Sequence, residues 1–357
     1  MVDKNGVQDI TFVCCVESGF LETQTLLMIE SLRRNGGVYK DLPILAITPR
    51  FGPPLSKSTR KQLNNLNVSY ISFRPDNKFS WKAFLNKHYS MAKAEEVCES
   101  EFLCWLDSDL IFISEPSDLF LGENEDFTAC PSDIAGGSCG VDDPMDAYWK
   151  EVCSIYGINI ESLPWVKAFV EEKKMRFYFN SGIFMYRRKT QLSRQHLDNT
   201  LKFFEARISS KITGSFFTQH ILGITVHQMG LVWKVLPHTH NFGTGAKMLD
   251  QWMNSSSSII PNYEVLENCK VIHYHNALWP KYYDQFCLLL EKIYPEEVNW
   301  LQKKGPLVNN APFLVRLDNH LVLILPPQKL KERHPLLVQL QKLVMVRAVL
   351  NQRLQFY

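Results

Sequence analysis

The chain has 357 residues, 45% hydrophobic and 21% charged, enough for a sizeable folded core and unlike a disordered chain. Thirty-nine Lys and Arg against 37 Asp and Glu leave a formal charge of +2, which excludes a broad electrostatic surface for nucleic acid. Aromatic content is 12%; most of it is expected in the core, with a mild lean towards sugars or other flat amphipathic ligands.

Residues 10–16 are an apolar run that predicts a buried parallel strand. Leu21, Thr25, Met28, Ile29 and Leu32 fall at helical spacing, and Asn35-Gly36-Gly37 supplies a helix stop. A second strand is predicted over 42–48, a polar helix over 56–66 and a third strand over 68–73. A helix over about 81–98 carries Leu85, Tyr89 and Ala92 on one face. The fourth strand, 102–106, delivers Asp107 and Asp109, and a further strand is predicted over 126–131. The stretch 132–176 is rich in Asp and Gly and then in Trp and Tyr, and reads as an insertion with short helices. A strand over 177–186 is expected to break at Asn180-Ser181-Gly182, followed by a helix over about 191–208. Ser255 to Ser258 mark a loop, and a late strand over 270–274 leads into His273-Tyr274-His275.

Alternating strands and helices predict an α/β fold with a mostly parallel, twisted sheet flanked by helices. Residues 1–305 are taken as one catalytic domain and 306–357 as an extension. The extension holds an expected strand at 321–325 and an amphipathic helix at 335–354 with Leu336, Leu340, Leu343 and Leu350. From residue 329 it carries six Lys or Arg against one acid, Glu332. Docking on the core is the expectation, with contact to a membrane surface or a partner as the alternative.

The nine cysteines form no CxxC pair, so buried reduced thiols are expected rather than a zinc ribbon or thioredoxin-like site. The first residues have no apolar h-region and no run reaches the ~18 apolar residues of a membrane span. A cytoplasmic protein is expected, at most peripheral to a membrane.

Asp107-Ser108-Asp109 interrupts a run that is apolar on both sides. Carboxylates at the end of a buried strand are costly unless a cation or hydrogen bonds compensate them. Spacing i, i+2 on an extended segment points both to one side. Hard oxygen ligands at the carboxyl edge of a parallel sheet suit Mn²⁺ or Mg²⁺ and a phosphate-bearing substrate. The alternative is a pair of loop-capping aspartates.

The run from Phe102 to Phe112 is similar to the DxD segment of GT-A-type glycosyltransferases, and Phe179 to Tyr186 resembles their later strand carrying Asn-Ser-Gly. Over roughly residues 8–285 the chain looks closest to the retaining, glycogenin-like and galactosyltransferase-like enzymes of family 8. That likeness implies a nucleotide-diphosphate sugar donor, expected to be a UDP-sugar, and a metal held by Asp107 and Asp109. It implies donor contacts from Ser108, Asn180, Ser181 and Gly182, and an acceptor-side lid from 132–176. It also implies a late histidine as third metal ligand; His273 is preferred, with His275 the alternative, and the strand period puts both on one face. Lys87 resembles the family's donor-contacting lysine, its other reading being a surface lysine. Glu17 and Ser18, after the first strand, are placed to meet uracil or ribose.

The chain departs from the family pattern in two places. Family members often carry Asp-Gln after Asn-Ser-Gly, where this chain has Thr218-Gln219-His220; Gln219 matches and the Asp does not. The family's Lys-Pro-Trp is reversed here as Trp279-Pro280-Lys281, so the diphosphate contact would pass to Lys281. Retention is expected, with Gln219 beneath the anomeric carbon. Asp133 is the candidate base for inversion and otherwise a capping residue. The acceptor would be a carbohydrate, a lipid-linked sugar or a protein, with no nucleic-acid partner. A sugar-phosphate nucleotidyltransferase is the competing enzyme, but Glu17-Ser18-Gly19-Phe20 lacks the basic Gly-rich loop it needs. A non-catalytic carbohydrate- or partner-binding protein on the same fold is the third reading.

Overall fold

The computed structural model describes residues 8–50, 52–77, 79–80, 82–206, 208, 217–245, 248–250 and 263–308. The loop expected at 255–258 and the strand and helix expected beyond 320 lie outside these residues.

The elements in chain order are β1 (Ile10–Cys15), α1 (Phe20–Asn35), β2 (Ile44–Thr48), α2 (Lys57–Asn65), β3 (Val68–Ser72), α3 (Asn86–Val97), β4 (Phe102–Leu106), β5 (Leu110–Phe112), β6 (Phe127–Pro131) and α4 (Pro144–Ile155). There follow β7 (Trp165–Lys167), β8 (Lys174–Arg176), β9 (Phe179–Arg187), α5 (Leu192–Glu205), α6 (Phe217–Gln228), β10 (Trp233–Val235), β11 (Phe242–Gly243), α7 (Tyr263–Glu267), β12 (Val271–His273), α8 (Tyr283–Glu291) and α9 (Pro295–Lys304).

Among the described residues, seven strands form the main sheet in the order β10-β6-β9-β4-β1-β2-β3. β9 runs antiparallel to both neighbours and the other pairings are parallel. This is the expected α/β architecture. β1, β2 and β4 are buried along nearly their whole length, which is why they read as continuous apolar runs rather than alternating ones. Local chemistry sets the helix ends: the Ser56 hydroxyl accepts from the Thr59 amide at 3.1 Å to cap α2, and Gly36 closes α1.

A second sheet, β11-β12-β5, lies beyond the carboxyl edge of the first. The chain passes from one to the other at Asp107-Ser108-Asp109. The Asp107 amide still donates to the Gly182 carbonyl of the main sheet at 2.8 Å, while the Asp109 carbonyl accepts from the Tyr274 amide beside β12 at 2.9 Å.

Two expectations are corrected. Asn180-Ser181-Gly182 does not break its strand: β9 is continuous from Phe179 to Arg187, because Gly182 keeps its main-chain bond to Asp107 and Ile183 stays in register with Leu106. Residues 132–176 supply a twelve-residue helix, α4, and the β7–β8 hairpin. Tyr148, Trp149 and Val152 of α4 are buried with Tyr178, Phe179 and Phe184 in the main core. This is where much of the aromatic surplus goes. Arg176 is fully buried and bonds the Asp146 carboxylate at 3.0 Å and the Ile160 carbonyl at 3.0 Å, locking the hairpin to α4.

No helix among the described residues is long and apolar enough to cross a membrane.

Gly223 brings α6 against the main sheet. A Cβ there would lie 2.3 Å from the Phe177 carbonyl oxygen, which is backbone and cannot step aside. Gly223→Ala is therefore expected to lower stability by about 1–3 kcal/mol despite the better helix propensity of Ala. A urea midpoint equal to or above wild type would contradict this packing.

Candidate active site

Three elements meet at the crossing between the sheets. Lys87, one residue into α3, places its Nζ 3.0 Å from Asp107 Oδ1, 2.7 Å from the Ser181 carbonyl and 2.8 Å from Ser181 Oγ. Trp105 Nε1 donates to Asp107 Oδ1 at 2.7 Å. The indole and the carboxylate share a side because they stand two residues apart on a strand. Asp107 is thus balanced by a lysine and a ring N–H.

Asp109 lies against the histidines of the small sheet. Its Oδ1 is 3.2 Å from His273 Nε2, and its Oδ2 is 3.8 Å from His275 Nδ1. The ligand atoms of Asp109, His273 and His275 all lie within 4.8 Å of one another. One carboxylate oxygen and two imidazole nitrogens at this spacing could hold a divalent cation after a small closing of the side chains. His273 Nδ1 lies 3.0 Å from Asn241 Oδ1, an acceptor, so Nδ1 carries a hydrogen, while Nε2 faces the Asp109 carboxylate.

The charges interlock. Burial opposes ionisation of Asp109, but His273 by charge and hydrogen bond, and then His275, outweigh it and hold the carboxyl at about 2. Burial likewise opposes charging His273; Asp109 outweighs it and raises the imidazole above its ordinary value. His275 is driven down to about 4, first by the charge of His273 and then by burial, against the pull of Asp109.

His275 reaches Asp109 through a backbone twist and not through strand periodicity. β12 ends at His273, and His275 takes φ +48°, which folds its ring back to 4.0 Å from the His273 ring centre. A positive φ at a non-glycine residue is strained. Gly182 completes the fit: a Cβ there would lie 2.6 Å from His273 Cε1 and 2.9 Å from Asn180 Oδ1.

The structure brings Lys87, Asp107, Asp109, Ser181, Gly182, His273 and His275 together, with Ser108 at the crossing. Asp107 bonds Lys87 and Trp105 and Asp109 bonds the histidines, while the charge of Asp107 also acts on His273. Asn180 braces β9, its Oδ1 accepting from the Gly182 amide at 2.7 Å. A cavity of about 210 Å³ beside Asp107 is lined by Lys87, Trp105, Ser108 and Thr218. Gln219 follows Thr218 on α6 and accepts from the Tyr178 hydroxyl at 2.9 Å. Glu17 is paired with Arg50, whose Nη2 donates at 2.8 Å, and Ser18 is half-buried next to it. Asp133 is exposed and caps a single turn, accepting from the Ala135 amide at 3.3 Å. Lys281 is exposed and donates to the adjacent Tyr282 hydroxyl at 2.8 Å, away from the cluster.

Sequence reading missed Trp105, Asn241, Tyr178 and Arg50. Period two along β4 would have paired Trp105 with Asp107. Asn241 is 32 residues from His273 and no local spacing signals it.

The α/β fold and the sequence of its main sheet belong to a glycosyltransferase. Residues 12–230 match the Rhodobacterales glycosyltransferase domain, and the chain belongs to that family. No curated protein matches it by sequence. Among solved structures it is similar to the apo form of the bifunctional glycosyltransferase WbbM, at 16% identity and a TM-score of 0.50 over 84% of this chain and 52% of that one. The chain thus spans about half the length of WbbM, and this likeness concerns the fold. The galactosyltransferase LgtC in complex with donor and acceptor sugar analogs aligns at 14% identity and TM-score 0.48 over 84% of this chain and 98% of that one. Mouse xyloside xylosyltransferase 1 aligns at 11% identity and TM-score 0.43 over 75% of this chain and 97% of that one.

Two predictions follow from the histidines. His275→Gly relieves the positive φ and should leave the metal-free protein as stable as wild type or up to about 1 kcal/mol more stable, while weakening binding of Mn²⁺. A marked loss of stability would mean that His275 is structural. Separately, His196 and His220, which flank the start of α6, are held neutral by burial with pKa values lowered from 6.5 to about 3. The unfolded chain takes up these protons first, so stability should fall as pH drops below about 6.5 towards 3. Urea midpoints at pH 7 and pH 5 read the slope, and His220→Gln should flatten it.

Proposed function

We propose that the protein transfers a sugar from a UDP-sugar to a hydroxyl acceptor with retention, using a divalent cation held by Asp109, His273 and His275. The observation that carries this is the meeting of those three ligands next to the Lys87–Asp107 pair. Two imidazoles with one carboxylate favour Mn²⁺ over Mg²⁺, which prefers all-oxygen ligands. When bound, the cation neutralises charge on the diphosphate leaving group.

The chain's own residues do the rest. Asn241 orients His273, and Trp105 holds Asp107. Lys87 supplies a second positive charge near the departing phosphate and links it to Ser181. Ser108 in the turn after β4, with Asn180 and Gly182 on β9, shapes the surface that receives the donor, with Glu17 and Ser18 on its nucleoside side. Gln219, steadied by Tyr178, presents its amide to the oxocarbenium-like centre. The departing phosphate accepts the acceptor's proton, so no separate base is needed. Asp133 fits a capping role better than a base, since its carboxylate is already bonded to its own turn. Lys281 would reach the diphosphate only after turning from Tyr282. All nine cysteines are unpaired, which supports a reducing compartment. Residues 306–357 are proposed as the extension that meets a carbohydrate, lipid-linked or protein acceptor or a membrane surface.

Asp109→Ala should abolish Mn²⁺-dependent UDP-sugar hydrolysis or transfer with the fold retained by circular dichroism; unchanged turnover would sink the metal reading. A thermal-shift series reads the donor directly, because a ligand that binds only the folded state at 100 Kd adds about 2.7 kcal/mol of apparent stability. UDP-sugars with Mn²⁺ should raise the melting temperature where GDP- and ADP-sugars do not.

A further inference from the structure

The cavity beside Asp107 has a wall that the metal cluster and Lys87 do not account for. Asn86, one residue before Lys87, lines it and is 7% exposed. Its Oδ1 is enclosed and has no hydrogen-bond partner among the described residues. A buried amide oxygen without a partner is costly, and such groups concentrate where a ligand completes the bonding. Cys15, Leu21 and Phe84 supply apolar walls, and Phe84 is 57% exposed at the rim.

The size of the cavity selects its occupant. At about 210 Å³ it falls below the roughly 300–1,000 Å³ of a pocket that encloses a whole drug-sized ligand. One ring of a nucleotide sugar fits that scale. Asp107, Lys87 and Thr218, which precedes Gln219, all line the cavity, which sets it beside the residues assigned above to the reacting end of the donor. The geometry points to a subsite for the transferred sugar in which Asn86 hydrogen-bonds one of its hydroxyls and so discriminates among UDP-sugars. A site built to bond a hydroxyl rejects the analogue that lacks it or presents it elsewhere, because its own polar group is then left unpaired. This inference rests on the nucleotide-sugar reading above.

The test measures dissociation constants of wild type, Asn86→Ala and Asn86→Asp for UDP, UDP-glucose, UDP-galactose, UDP-xylose and UDP-N-acetylglucosamine, each with Mn²⁺. Wild type should bind one UDP-sugar more tightly than the others. Asn86→Ala should weaken that sugar by about tenfold, narrow the spread among the sugars, and leave UDP within about twofold. Asn86→Asp keeps the size and an acceptor oxygen and should retain more of the preference; it also serves where the alanine variant melts early. An unchanged ratio of UDP-sugar to UDP binding in both variants overturns the role of Asn86 alone. Equal weakening of UDP and UDP-sugars overturns it too, since the cavity would then hold the nucleoside. Wild type that binds none of the five ligands overturns the nucleotide-sugar reading and the subsite with it.

Discussion

The carboxylate of Asp109 faces Nε2 of the buried His273 imidazole at 3.2 Å, a pairing that a proton on Nε2 or a bound cation stabilises. Much of the surrounding structure arranges that meeting. The chain leaves the main sheet at Asp107 and enters the small sheet at Leu110, so the two acids of one short motif bond different direct partners. Asp109 comes under β12, whose antiparallel pairing with β5 sets His273 against it. Asn241 turns the imidazole, Gly182 makes room for it, and His275 folds back at the cost of a positive φ.

Asp107 is handled separately. Its charge is met by Lys87 from α3 and by the Trp105 ring, and Lys87 also reaches Ser181 on β9. One ammonium therefore joins a helix and two strands that are far apart in sequence. A partly buried carboxylate pinned in this way strongly resists loss of its partner. This explains how two carboxylates within three residues stand at the end of a buried strand: each has its own partner, Lys87 for Asp107 and His273 for Asp109.

The order of strands and helices was legible because buried parallel strands need unbroken apolar runs, and those runs stand out as in Ile10–Cys15 and Phe102–Leu106. Enzyme class and fold followed from DxD, Asn-Ser-Gly and their positions. The continuity of β9 was not legible, since Asn180-Ser181-Gly182 looks locally like a turn and only its main-chain bond to Asp107 keeps it in the sheet. The docking of α4 was hidden for a similar reason: an Asp- and Gly-rich start reads as a loop, while Trp149 and Tyr148 find their partners on β9 and nearby aromatic residues.

The sequence by itself determined the architecture, the acid motif and the pair of histidines near the end of the described domain, because apolar periodicity and residue type are local properties. The tertiary structure decided which acid meets the histidines, that Lys87 belongs to Asp107, and that Asn241, Tyr178 and Trp105 orient the groups around them. It also turned Lys281 to Tyr282 and Glu17 to Arg50. The physical reason is that charge compensation in a buried site depends on distances between segments, and the segments bearing residues 87, 107, 181, 241 and 273 are brought within bonding range only when the two sheets are in place.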